Sequence, residues 1–104
     1  MDLFAYLLLP TSAPSTPEAR QEEAEAMAAH FRHLQNLREG RILKLAGIGG
    51  EADFGLVVFR SESLSIAQTI MASDPLVAGR FMSGICVPFQ IVLPSEAAVD
   101  GPDS

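Results

Sequence analysis

Two continuous apolar runs of strand length constrain the fold of this chain more than any other feature. Residues 3–9 read Leu-Phe-Ala-Tyr-Leu-Leu-Leu and end at Pro10, and residues 54–59 read Phe-Gly-Leu-Val-Val-Phe. The second run is rich in β-branched and aromatic side chains. Continuous apolar runs of this length are typical of strands that are buried on both faces. We therefore expect these two segments to be the central strands of a sheet.

A long amphipathic helix is predicted over residues 17–39. Thr16 offers an N-cap, Pro17 suits the first helical position, and Gly40 supplies a stop. Apolar side chains recur at a spacing of three and four, which places them on one stripe of a helix. They are Ala24, Met27, Phe31, Leu34 and Leu37.

The remaining elements are shorter. We predict a strand over residues 42–46, a glycine turn over residues 47–50 and a second helix over residues 64–71. Residues 85–93 alternate apolar side chains on one face and predict the last strand. Pro88 would remove a ladder hydrogen bond, so this strand is expected at a sheet edge or with a bulge.

The order strand, helix, strand, strand, helix, strand predicts an α+β, ferredoxin-like fold. With right-handed crossovers it gives a four-stranded antiparallel sheet with both helices on one face, the first and third strands being central. A chain of 104 residues allows a single domain. We assign this domain to residues 1–93, and residues 94–104 to a flexible acidic tail.

The first strand carries apolar side chains on both faces. Leu3, Ala5, Leu7 and Leu9 point away from Phe4, Tyr6 and Leu8. Two helices cover only one face of the sheet, and the other face would expose an apolar patch larger than monomers usually tolerate. We therefore predict a homodimer that packs sheet to sheet.

Charge and cysteine content exclude several classes of function. The 13 acidic and 7 basic residues give a net charge of -6, which disfavours binding to nucleic acid or to an anionic membrane surface. No apolar run approaches the roughly 20 residues of a membrane span, and the N-terminus lacks the basic region of a signal peptide. The single cysteine, Cys86, fits a reducing cytoplasm, where we place the protein.

Two histidines fall on the first predicted helix. His30 lies at about 60° from the centre of the apolar stripe and His33 about twice as far, at 100° per residue. We expect His30 at the border of a pocket and His33 in solvent. A histidine bonded to a backbone carbonyl is the plainer interpretation of His30. A metal site is disfavoured because two histidines and one cysteine do not supply the four ligands of a usual zinc site.

Few other side chains suggest chemistry. Asp74 stands between a helix end and Pro75, where an aspartate is either a simple helix terminator or aimed inward. Arg80 is placed to bind an anionic substrate or is solvated. Nothing near Cys86 activates a thiol, and the glycine turn at residues 47–50 lacks the Lys-Ser/Thr ending of a phosphate-binding loop.

In order and spacing, several segments resemble the YCII-related family. They are His30–Leu37, Leu43–Gly47, Phe54–Phe59, Ser73–Pro75 and Val87–Leu93. The resemblance runs from about residue 3 to residue 93 and implies a ferredoxin-like fold that assembles as a dimeric α/β barrel. The chain departs from the family at Ala46-Gly47-Ile48, where a proline usually follows the glycine, and by one residue fewer between His30 and Gly40.

The same resemblance implies a function. Family members are proposed to pair a histidine and an aspartate in a pocket between helix and sheet, and the matching positions are His30 and Asp74. Tyr6, Gly47 and Arg80 are expected to border that pocket. The implied activity is cofactor-independent acid/base chemistry on a cyclic or aromatic metabolite: elimination, isomerisation or hydrolysis. Dehydrochlorination of a chlorinated hydroquinone is one family example. A dimeric metabolite-binding module without catalysis is the alternative, and a cofactor-free monooxygenase is suggested by fold analogy alone.

Overall fold

A computed structural model describes residues 1–11, 15–51 and 53–93 of the chain. Its elements, in order, are β1 (Asp2–Pro10), α1 (Pro17–Glu39), β2 (Leu43–Gly49), β3 (Phe54–Ser61), α2 (Leu64–Ala72), α3 (Pro75–Ala78) and β4 (Met82–Pro88). The predicted acidic tail, residues 94–104, lies outside the described residues.

The four strands form one antiparallel sheet in the order β2-β3-β1-β4. The two continuous apolar runs are therefore its central strands, as predicted, and β2 and β4 are its edges. This order, with a helix in each crossover, is the ferredoxin-like arrangement, and the predicted fold class is confirmed.

One face of the sheet and the helices enclose the hydrophobic core. Alternate residues of the central strands fill it: Phe4, Tyr6 and Leu8 from β1, and Val57 and Phe59 from β3. Leu37 of α1, Ala67 of α2 and Leu76 of α3 close it from the helical side. The core is thus built by the period of two in the strands and by one stripe of each helix.

The long helix begins and ends where the sequence predicts. The Thr16 side chain accepts a hydrogen bond from the Ala19 N–H at 3.0 Å, and the chain leaves the helix at Gly40. The buried stripe, however, is rotated from its predicted centre. Phe31 is 50% exposed, whereas His30 and Leu37 are buried, because Phe31 faces the rim of a cavity and His30 finds a polar partner inside.

The predicted bounds of the last strand are wrong. The strand begins three residues earlier, at Met82, and ends at Pro88 instead of residue 93. Pro88 lies opposite Phe4, close to the start of β1, so the residues that follow have almost no strand left to pair with. The Phe89 N–H continues the pattern by one step, donating to the Leu3 carbonyl.

The β2–β3 hairpin also differs from the prediction. The second strand extends to Gly49, so residues 47–49 belong to the ladder and the turn follows them. Gly50 adopts φ 63°, a left-handed conformation that favours glycine. The short helix α3 is not predicted from the sequence, although Asp74 and Pro75 form an ordinary cap and first position for it.

The face of the sheet turned away from the helices is apolar and open. Ile85 and Val87 of β4 are 50% and 43% exposed, and Leu45 of β2 is 48% exposed. Between them, on the same face, Ala5 and Val58 pair with each other and are buried. Of the helices in the described part of the chain, none combines the length and the apolar character that crossing a bilayer requires.

Candidate active site

Asp74 is fixed by the local backbone at the junction of α2 and α3. It is the N-cap of α3, with extended backbone angles, and its Oδ1 accepts a hydrogen bond from the Leu76 N–H at 3.0 Å. Pro75 holds the next residue in helical conformation and cannot compete as a donor. The carboxylate is 0% exposed and is aimed into the protein.

Two side chains meet the other carboxylate oxygen. His30 Nδ1 lies 2.6 Å from Asp74 Oδ2, and the Tyr6 hydroxyl donates to the same atom at 2.7 Å. The Tyr6 ring is itself held edge-on against Phe59, with ring centroids 5.8 Å apart. The helix α1, the strand β1 and the α2–α3 junction thus converge on one buried carboxylate.

The electrostatics of this cluster keep Asp74 ionised. Burial alone would raise the pKa of its carboxyl, but hydrogen bonds from His30, Tyr6 and the Leu76 N–H outweigh it, and the pKa is lowered. Burial, together with the adjacent Asp74 charge, raises the pKa of Tyr6. At neutral pH the tyrosine is therefore a protonated donor and the aspartate an acceptor for both neighbours.

This arrangement fixes the proton on His30. A carboxylate only accepts hydrogen bonds, so Nδ1 of the neutral ring carries the proton and Nε2 presents a lone pair. The His30 side chain is 10% exposed, and it lines a cavity between α1 and the sheet. The geometry suits proton transfer at Nε2, with Asp74 orienting the ring and balancing the charge of an imidazolium.

The cavity lies between α1 and the β2–β3 half of the sheet and has a volume of about 300 Å³. Its walls are almost entirely apolar or glycine: Leu8, Met27, Phe31, Leu34, Ala46, Gly47, Ile48, Phe54, Gly55, Leu56, Val57, Leu76 and Met82. His30 also lines the cavity, and it is the only titratable side chain among the described lining residues. A ligand in this cavity therefore meets one titratable side chain and a largely apolar wall.

Of the three residues expected to border the pocket, one lies in the cavity wall and two do not. Gly47 lies in the cavity wall. Tyr6 lies behind His30, fully buried against Asp74, because the alternation of β1 points it into the core. Arg80 is exposed beyond α3, with φ 63°, and lies outside the cavity wall.

His33 differs from its predicted place in solvent. It is half-buried, and its Nε2 is buried without a hydrogen-bond partner in the described structure. Burial lowers the pKa of His33, and the neighbouring His30 lowers it further against an opposing attraction from Asp74. We therefore assign His33 a neutral ring at pH 7. Within residues 1–11, 15–51 and 53–93, no group of three potential ligand side chains is arranged to hold a metal ion.

The sequence indicates that the Tyr6 hydroxyl needs a hydrogen-bond partner inside the core. A tyrosine inside a continuous apolar strand and on the helix-facing side must satisfy its hydroxyl within the core. The buried partner most suited to it is a carboxylate delivered by another element, and Asp74 is that group. The pairing itself depends on tertiary packing across 68 positions of the chain.

Comparisons with known proteins support the fold. No protein-family model matches the chain, and no curated protein matches it in sequence. Among solved structures, it is similar to 5-chloro-2-hydroxyhydroquinone dehydrochlorinase (TftG) from Burkholderia phenoliruptrix, in a complex with 2,5-dihydroxybenzoquinone. The TM-score is 0.63 at 16% identity, over 85% of this chain and 93% of that one. At this identity the likeness shows a shared fold, and membership of the YCII-related family stays a prediction.

Proposed function

We propose that this protein is a small-molecule enzyme in which His30 transfers a proton and Asp74 orients it. The observation that carries the proposal is the 2.6 Å contact between His30 Nδ1 and a fully buried carboxylate, beside a cavity that His30 lines. The reaction class is elimination, isomerisation or hydrolysis of a cyclic or aromatic compound, because these reactions need proton transfer and no bound cofactor. The similar fold of a dehydrochlorinase supports this class.

The test is a turnover screen. Halogenated and hydroxylated aromatic compounds are incubated with the protein, and halide release, proton release and absorbance changes are followed. We expect at least one compound to react, and His30→Gln and Asp74→Asn to slow its turnover by about 10²-fold or more. Circular dichroism shows whether each variant is folded. An unchanged rate in folded His30→Gln would contradict the proposal.

Binding without catalysis is a second candidate function, and the small number of titratable side chains in the cavity wall favours it. With one titratable side chain in its wall, the site offers no separate acid to complement the base. In a metabolite-binding or accessory module, His30 and Asp74 orient a ligand without converting it. Ligand binding without turnover of any compound in the screen would support this function and exclude the first.

We further propose that the protein is a homodimer that buries the open sheet face. The half-exposed apolar side chains Leu45, Ile85 and Val87 support this assembly. Light scattering after gel filtration should give about 22 kDa, twice the 11.1 kDa of the chain. Ile85→Asp should give the mass of one chain, whereas Ile66→Asp, the same change on the exposed side of α2, should not. A monomeric wild type would refute the dimer. Cytoplasmic localisation, based on the lone cysteine, remains part of the proposal.

A further inference from the structure

We propose that the cavity beside His30 selects neutral aromatic ligands of one or two rings that present a hydrogen-bond donor, and rejects the corresponding carboxylates. Phenols are the simplest members of this class. The inference rests on the proposed function in one respect, namely that the substrate occupies this cavity. It adds the size, charge and hydrogen-bonding direction that the substrate must have.

The volume sets the size. An apolar cavity of about 150 Å³ is large enough to bind benzene in other proteins, and the cavity here is about 300 Å³. It therefore accommodates two fused rings. Phe31 and Phe54 line it from α1 and β3, and both are partly exposed, so they offer flat aromatic surfaces at its rim.

The wall sets the charge. No lysine or arginine is among the cavity-lining residues, and Arg80, the basic residue expected to bind an anion, is exposed outside it. A carboxylate or phosphate entering the cavity loses its water without gaining a cationic partner, which is costly. The negative charge of Asp74, directly behind His30, opposes a further anion.

The His30 ring sets the direction of the hydrogen bond. Asp74 accepts the hydrogen bond from Nδ1–H, so Nε2 is left as the acceptor of a ring that lines the cavity. A phenolic O–H satisfies this atom. The methyl ether of the same compound has no proton to donate and leaves Nε2 unpaired.

Three matched probes test these statements by calorimetric titration at pH 7.5. They are 2-naphthol, 2-methoxynaphthalene and 2-naphthoate, which share a two-ring skeleton. We expect 2-naphthol to bind most tightly, the ether to bind about two- to tenfold more weakly, and 2-naphthoate to bind at least about tenfold more weakly. In His30→Leu, the preference for the phenol over the ether should disappear.

Matched variants test the location. Ala46→Phe fills the cavity and should abolish binding of 2-naphthol, whereas Ala28→Phe makes the same change on an exposed part of α1 outside the wall and should not. Equal or tighter binding of 2-naphthoate, equal binding of the ether, binding unaffected by Ala46→Phe, or no binding of any probe would each overturn the inference.

The outcomes separate this inference from the proposed function. If a carboxylate substrate is turned over, and the turnover depends on His30 and Asp74, the proposed ligand class is refuted but the proposed enzymatic function stands. Selective binding of 2-naphthol, with no turnover in the aromatic screen, would leave the ligand class and refute the enzyme.

Discussion

Replacing Asp74 with asparagine removes the negative charge that His30 and Tyr6 both contact. The side chain keeps almost the same shape. The asparagine carbonyl oxygen still accepts the hydrogen bond from the Leu76 N–H. Its NH₂ group, however, replaces Oδ2 and therefore faces two donors, His30 Nδ1 and the Tyr6 hydroxyl, which lie 2.6 Å and 2.7 Å from Oδ2 in the wild type. Each lost hydrogen bond to a buried charge is worth about 1.5–3 kcal/mol. We expect Asp74→Asn to lower the free energy of unfolding by about 3–5 kcal/mol at pH 7.

The pH dependence of this difference identifies its cause. The pKa of Asp74 is lowered in the folded state, so its stabilising contribution is present above the unfolded pKa of about 3.9 and is lost as the pH falls through the folded pKa. In a His30→Gln background, where no imidazole titrates against the carboxylate, the difference that Asp74→Asn makes to the free energy of unfolding should therefore narrow by roughly 0.5–1 kcal/mol between pH 7 and pH 3.5.

Urea unfolding at both pH values measures the effect. Asp2→Asn is the matched control, because Asp2 is exposed at the start of β1, and its effect should stay within about 0.5 kcal/mol. A loss below about 1 kcal/mol for Asp74→Asn at pH 7, or a difference that widens on acidification in the His30→Gln background, would refute the reasoning.

Three further predictions concern neighbouring positions. Tyr6→Phe deletes one donor to Asp74 Oδ2 and should cost about 1.5–3 kcal/mol in urea unfolding; an unchanged stability would show that the hydroxyl does not support the carboxylate. His33→Leu removes a buried nitrogen without a partner in the described structure and should raise stability by up to about 1 kcal/mol. Since the pKa of His33 is lowered on folding, the variant should also lose less stability than wild type between pH 7.5 and pH 5.5, as thermal unfolding would show, and an equal loss would contradict this. Gly84→Ala places a Cβ 2.7 Å from Met71 Sδ and 3.3 Å from Val77 Cγ2 and should lower the melting temperature followed by circular dichroism; an unchanged melting temperature would contradict this.

The fold was accessible from the sequence because its strongest patterns were local. The two apolar runs indicated central strands, and the caps at Thr16 and Gly40 bounded the long helix. The last strand was misplaced because its extent depends on its neighbour. Residues 82–84 pair with β1 although serine and glycine are weak strand formers. The alternating residues after Phe89 have no strand partner in the part of the chain that the structure describes.

The candidate site was accessible only in part. Periodicity placed His30 at a border position, and the Asp74-Pro75 step marked a turn, but no spacing in the sequence shows that these side chains touch. Their contact joins residues 44 positions apart and depends on how α1 packs on the α2–α3 junction. The half-burial of His33 and the rotation of Phe31 toward the cavity follow from the same packing.

The central claim is that Asp74 holds the proton of His30 on Nδ1 and leaves Nε2 free for chemistry. Nitrogen NMR of histidine-labelled protein, at a pH where the imidazole is neutral, reports which nitrogen carries the proton. We predict the Nδ1–H form for His30 in the wild type and a loss of that preference in Asp74→Asn. An Nε2–H form in the wild type, or the same form in both proteins, would contradict the account.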